Sequence, residues 1–146
     1  MTKATIISVA KALVVNEKNQ ALILTVGEYK SHPEKSFKPD LPGGLVDPGE
    51  SEHEAVIREI KEEAGIEIDS SRIQLAYTET EYVEKGHKSI TKLFYLAFLD
   101  HTPDVRISWE HASYEWVPLA GLTQSTEFRP FYKNAINYCA DHELIP

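Results

Sequence analysis

Cysteine is almost absent from this chain: Cys139 is the single thiol in 146 residues. No internal disulfide can form, so stability must come from a packed core, and a reducing compartment suits the protein best. Long apolar runs are missing too. None approaches the roughly 20 residues that a membrane-spanning helix needs. The N-terminus lacks the charged, apolar and small-residue segments of a signal peptide, so a soluble, cytoplasmic protein with no membrane partner is expected. Positive charge is scarce: 15 Lys and Arg stand against 23 Asp and Glu, a formal net charge of -8. That balance argues against a polymeric nucleic acid as ligand, because such binders carry a basic patch or stripe. If the substrate is anionic, bound divalent cations are the natural means of offsetting the repulsion.

What is present is ordinary globular material, 42% apolar and 26% charged, and its length suits one domain spanning 1–146. Thr5 to Val15 and Ala21 to Val26 are rich in β-branched and apolar residues and read as two strands joined by a polar turn. Gly27 to Asp40 reads as a loop; its Lys30, His32, Lys35 and Lys38 offer either a solvated connection or a basic wall over an anion. Leu41-Pro42-Gly43-Gly44 must turn sharply, and paired glycines let backbone approach a ligand closely. Arg72 to Val83 and Ile90 to Leu99 read as strands, the second buried on both faces. Tyr114 to Val117 reads as a short strand and Pro118 to Leu122 as a turn or short helix. Glu127 to His142 reads as an amphipathic helix with Phe131, Ala135, Ile136 and Cys139 inward and Pro130 in its first turn. Strands before and after a central helix, closed by a terminal helix, point to an α/β fold with a mixed sheet between helices.

The central helix carries the chemistry. Ser51 followed by Glu54 matches a capping box, which starts the helix at Glu52, and Gly65 stops it. At about 100° per residue, Glu52, Ala55, Glu59, Glu62 and Glu63 share one arc, and Val56, Ile57, Ile60 and Ala64 share another. The glutamates repel one another at i, i+3 and i, i+4, costing a few tenths of a kcal/mol per pair. They also crowd the last turns, where the helix dipole disfavours negative charge. A helix shaped for stability alone would carry lysines there. Clustered hard oxygens suit Mg²⁺ or Mn²⁺. Arg58 sits beside the acidic arc, in reach of Glu50, and is given a supporting role.

Gly44, Glu50, Arg58, Glu59, Ile60, Glu62, Glu63, Gly65 and Ile66 fill every specified position of G-x5-E-x7-R-E-U-x-E-E-x-G-U, U being a bulky aliphatic. The stretch resembles the Nudix box of the Nudix hydrolases, including the mutator-type enzymes. The resemblance implies an α/β/α sandwich with a mixed β-sheet. It implies Mg²⁺-dependent hydrolysis of a phosphoanhydride bond in a nucleoside diphosphate linked to another group, such as a nucleoside triphosphate or a dinucleoside polyphosphate. Carried over by position, Glu59, Glu62 and Glu63 would be metal ligands, and Gly43 would offer its carbonyl. The general base would be Glu63 or Glu110, which resembles a late glutamate of the mutator-type triphosphatases. His111 and Glu115 are weaker claimants to that role and read more as structural.

Candidate substrate contacts are Lys35, Phe37, Arg129 with Phe128, and Tyr82. Tyr82 stands sixteen residues past Ile66, where diadenosine polyphosphate hydrolases of this family tend to carry a tyrosine. The aromatic often found two positions before the leucine of Leu-Pro-Gly-Gly is replaced here by Pro39. The expected partner is a small nucleotide-type molecule, and a homodimer is compatible with the sequence. Two other readings compete with hydrolysis. A Nudix-fold nucleotide sensor that binds without cleaving would often have an eroded box, and this one is intact. An isopentenyl-diphosphate-type isomerase needs a catalytic cysteine, and Cys139 in the last helix is badly placed for one.

Overall fold

The computed structural model describes residues 3–125 and 127–146. Seven strands form one mixed sheet with a helix on each face, the expected α/β/α arrangement. Strand β1 (Thr5–Val15) is its axis. Along one edge β1 pairs in parallel with β6 (Lys88–Phe98) over its whole length, and β6 pairs antiparallel with β5 (Ile73–Val83). The other edge of β1 is shared. Near the hairpin it meets β2 (Gln20–Val26) at Val15 opposite Ala21, and further back it pairs with the short β4 (Gly43–Leu45). Strand β2 diverges from β1 and pairs instead with β3 (Pro39–Asp40) and β7 (His111–Pro118).

The period-2 alternation of β1 divides the core. Ala10, Ala12 and Val14 pack with Leu22, Leu24, Leu93 and Tyr95 beneath helix α1 (Glu52–Ala64), which contributes Val56, Ile60 and Ala64. Leu13 and Val15 face the other way, with Ile23, Phe94 and Leu96, against Phe131, Tyr132, Ala135 and Ile136 of helix α2 (Pro130–Asp141). Each large apolar side chain so buried contributes about 1.5–3 kcal/mol. Among the described residues, no helix is long and apolar enough to cross a membrane.

Several boundaries differ from the sequence expectations, and the larger differences have physical reasons. Helix α2 begins at Pro130 rather than Glu127. Arg129 is held extended at ψ 155 by the following proline, whose ring disfavours the α conformation just before it. Phe128, for which the sequence leaves ligand contact and packing equally open, packs in the α2-side core. Strand β7 starts at His111, three residues before Tyr114, because its pairing with β2 is set by the partner and not by its own largely exposed residues. Strands β3 and β4 lie where a loop and turn were expected, and both are defined by cross-strand partners.

Candidate active site

Helix α1 is fixed at both ends. Ser51 accepts from the Glu54 amide while the Glu54 side chain returns a bond to the Ser51 amide, completing the capping box, and Gly65 ends the helix at φ 70. The loop that follows β6 then caps the last carbonyls: the Arg106 amide donates to Ala64 O at 2.8 Å and the Ser108 amide to Glu63 O at 3.1 Å. This positions three acidic side chains along one side of the helix. Their exposure grades steeply, from 6% for Glu63 to 17% for Glu59 and 57% for Glu62.

Arg58 ties this face to the preceding loop. Its Nε and Nη2 donate to the two oxygens of Glu50 at 2.7 and 3.0 Å, and Nη1 reaches Glu59 and Glu62, each at 3.1 Å. Nη2 also reaches the Leu45 carbonyl at 3.3 Å. The supporting geometry read from the helix wheel is the geometry present. The two glycines have separate duties. A Cβ on Gly44 would sit 2.8 Å from the Glu59 carboxyl carbon, so the bare Cα makes room for that carboxylate. A Cβ on Gly43, at φ +141, would lie 2.1 Å from the Ala10 carbonyl oxygen, so only glycine lets β4 pack on β1 there.

Glu63 belongs to a buried polar group that the sequence alone did not assemble. Its Oε1 accepts from the Gly43 amide at 3.2 Å, and its Oε2 lies 3.6 Å from His111 Nε2. Asp40, at the end of β3, is the hub. It receives His111 Nε2 at 2.9 Å, Tyr132 Oη at 2.6 Å, Arg129 Nη2 at 3.3 Å and Lys11 Nζ at 3.4 Å. Lys11 also donates to the carbonyls of Leu41 and Gly43 at 3.1 and 3.2 Å. His111 therefore touches both acids. Sequence signals existed for two members: Lys11 is the one charged residue of strand β1, and Asp40 abuts the Leu-Pro-Gly-Gly turn.

The two buried acids differ in electrostatics. Burial pushes Asp40 up, but the hydrogen bond from His111, the Lys11 charge, the Tyr132 hydroxyl and Arg129 together hold it well below the usual carboxylate range. Burial pushes Glu63 up to about 8, and the contact with Glu59 and the charge of Asp40 add to this. Lys11 and the Gly43 amide only partly oppose it. Asp40 is compensated in full by the protein's own donors, whereas Glu63 is compensated only in part. One ligand atom from each of Asp40, Glu63 and His111 lies within 4.8 Å of the others. A hard divalent cation fits the carboxylates on this side of the helix: Glu59 and Glu62 stand beside Glu63, and the ion would supply the positive charge that Lys11 supplies only in part.

An open cleft of about 1040 Å³ reaches the network at Asp40. Lys30, Lys35, Lys38 and Arg129 line it, as do Glu28, Glu34, Glu110 and Glu127. Of the expected substrate contacts, Lys35 and Arg129 are on its wall. Phe37 is not among its lining residues; it is 59% exposed at φ 59 in the same loop. Tyr82 is likewise outside the lining, exposed near the β5–β6 turn with its hydroxyl on His87 Nδ1. Glu110 is exposed on the cleft, next to His111, while Glu115 is exposed along β7.

The chain is similar to known proteins in sequence and in fold. The model of the NUDIX domain matches residues 6–139. An asymmetrical bis(5'-nucleosyl)-tetraphosphatase of Caenorhabditis elegans is 36% identical over 119 residues, covering 82% of this chain and 85% of that protein. Among solved structures, the MutT protein from Methanosarcina mazei Go1 superposes with a TM-score of 0.81 at 26% identity, over 98% of this chain and 99% of that one. A C. elegans Ap4A hydrolase binary complex gives 0.70 at 25% identity, over 94% and 98%. The carboxylate helix is thus a Nudix box in its usual frame, and the chain belongs to the Nudix hydrolase family as a pyrophosphohydrolase.

Proposed function

We propose that the protein hydrolyses a phosphoanhydride bond of dinucleoside polyphosphates with the help of Mg²⁺ or Mn²⁺, cleaving a four-phosphate bridge asymmetrically into a nucleoside triphosphate and a nucleoside monophosphate. The observation that carries the reading is Glu63: a buried acid whose charge Lys11 only partly offsets, on the same helix side as Glu59 and Glu62, one network away from a large cleft. The relative that is 36% identical over most of both chains supports this substrate class. So does the volume of the cleft, at the upper end of the roughly 300–1,000 Å³ typical of ligand pockets.

Glu59, Glu62 and Glu63 would hold the cation, with the Gly43 carbonyl beside them. When bound, it supplies charge neutralisation on the phosphate oxygens and a more acidic water. Arg58 keeps Glu59 and Glu62 in place through Glu50 and the Leu45 carbonyl. Lys35 and Arg129 are assigned to the polyphosphate chain. Glu110 is assigned as general base, because it stands exposed on the cleft while the Glu63 carboxylate is engaged by the Gly43 amide. Tyr82 and Phe37 stay candidates only for the outer part of a long substrate.

The test is a panel of nucleoside triphosphates, nucleotide sugars and dinucleoside polyphosphates with Mg²⁺, products resolved by chromatography. Preferential conversion of diadenosine tetraphosphate to ATP and AMP is expected. Faster turnover of a nucleoside triphosphate would displace this substrate class, and binding without cleavage of any of them would make the protein a sensor.

A further inference from the structure

Trp109 is 91% exposed. An indole brings a large apolar surface that proteins ordinarily use in a core or an interface, and this one lines the cleft together with Tyr29. Nor does it sit on a loose segment. Trp109 and Glu110 are the central residues of a tight turn closed by the His111 amide donating to Ser108 O at 3.2 Å. Both shoulders of the turn are tied down. The Ser108 amide donates to Glu63 O at 3.1 Å, and Glu110 O accepts from the Gly27 amide at 2.9 Å. The turn that carries the indole is therefore registered to the carboxylate helix on one side and to Gly27 of the cleft lining on the other.

Charge alone does not hold a nucleotide here. The lining has four cations against five carboxylates, counting Asp40, and Arg129 is partly committed to Asp40 and stacked over Tyr132 at 4.7 Å. We propose that Trp109 is the stacking platform for a nucleobase of the substrate, held at a fixed offset from the phosphate chemistry by the turn it shares with Glu110. Every base presents a π-face, so stacking tolerates different bases. The carboxylates of the cleft are then acceptors for exocyclic amino groups, and its lysines are donors for the phosphates.

This inference rests on the nucleotide reading of the cleft, so its test has an arm that does not need turnover. In a Trp116→Phe background, where Trp109 is the remaining indole, a methylene-bridged, non-hydrolysable diadenosine tetraphosphate should quench the emission, and inorganic tripolyphosphate should not. In kinetics with diadenosine tetraphosphate, Trp109→Ala should raise KM at least about tenfold, equivalent to about 1.4 kcal/mol. It should lower kcat by much less, and Trp109→Phe should restore most of the affinity. Inhibition by tripolyphosphate, which has no base, should not change. Unquenched emission together with an unchanged KM overturns the proposal, as does an equal loss of tripolyphosphate affinity, which would mark a damaged turn. If no nucleotide is cleaved but the emission is still quenched, the hydrolase reading fails and the base site stands.

Discussion

The Gly43 amide donates to Glu63 Oε1 at 3.2 Å, so the turn that precedes the helix sets the direction of a carboxylate twenty residues further along. On the other side of the same residue, the Gly43 carbonyl accepts from Lys11 at 3.2 Å. Turn, strand β1 and helix α1 thus hold a buried acid that none of them could orient alone.

The two glycines of that turn should respond differently to alanine. Gly43→Ala drives a Cβ into backbone at 2.1 Å and at a φ that alanine rarely adopts, and it should destabilise the fold by about 3 kcal/mol or more. Gly44→Ala meets only the end of the Glu59 side chain, which can move. Its thermal midpoint should stay near the parent's while Mg²⁺ affinity, read by calorimetry, falls about 10–100-fold. Equal loss of stability in both variants would contradict the separation of their roles.

Glu63 links stability to pH. Its folded value near 8, against an ordinary 4.5, means that the native metal-free protein binds more protons than the unfolded chain between those values. This contribution is complete below pH 4.5 and is lost as pH rises through about 8. Thermal denaturation without metal should therefore show a decline across that window, on the order of a few kcal/mol at most. Mg²⁺ should remove much of the decline and release a proton on binding. Glu63→Gln should flatten the metal-free profile; a decline that persists in this variant would assign it to another group.

Glu110→Gln should slow turnover about 10²–10⁴-fold, the range for a general base, while Mg²⁺ affinity changes little. Comparison of single-turnover rates with calorimetric titrations separates the two effects. An unchanged rate would return the base role to Glu63.

Helix α1 was legible almost to the residue, because its signals are local: Ser51 with Glu54, Gly65, and an apolar stripe at helical spacing. Its acidic face could likewise be placed by angle, and Arg58 with it. What local pattern does not carry is pairing across the chain. Asp40 meets Lys11, His111, Tyr132 and Arg129 from sequence separations of 29 to 92 residues. Such meetings depend on how β2 and β3 splay away from β1. Besides Asp40 next to the Leu-Pro-Gly-Gly turn, the visible hint was Lys11 within Thr5 to Val15, since a buried ammonium requires partners. The edge strands were obscured for a related reason: three residues of β4 become a strand only because Val9, Ala10 and Lys11 lie opposite.

Mg²⁺-dependent cleavage of diadenosine tetraphosphate by Glu62→Gln and Glu63→Gln, beside the parent protein and with folding checked by thermal denaturation, tests the central claim most directly. Both variants should stay folded and lose about a hundredfold or more in turnover, with weakened Mg²⁺ binding. Full activity in both would show that this helix does not hold the metal.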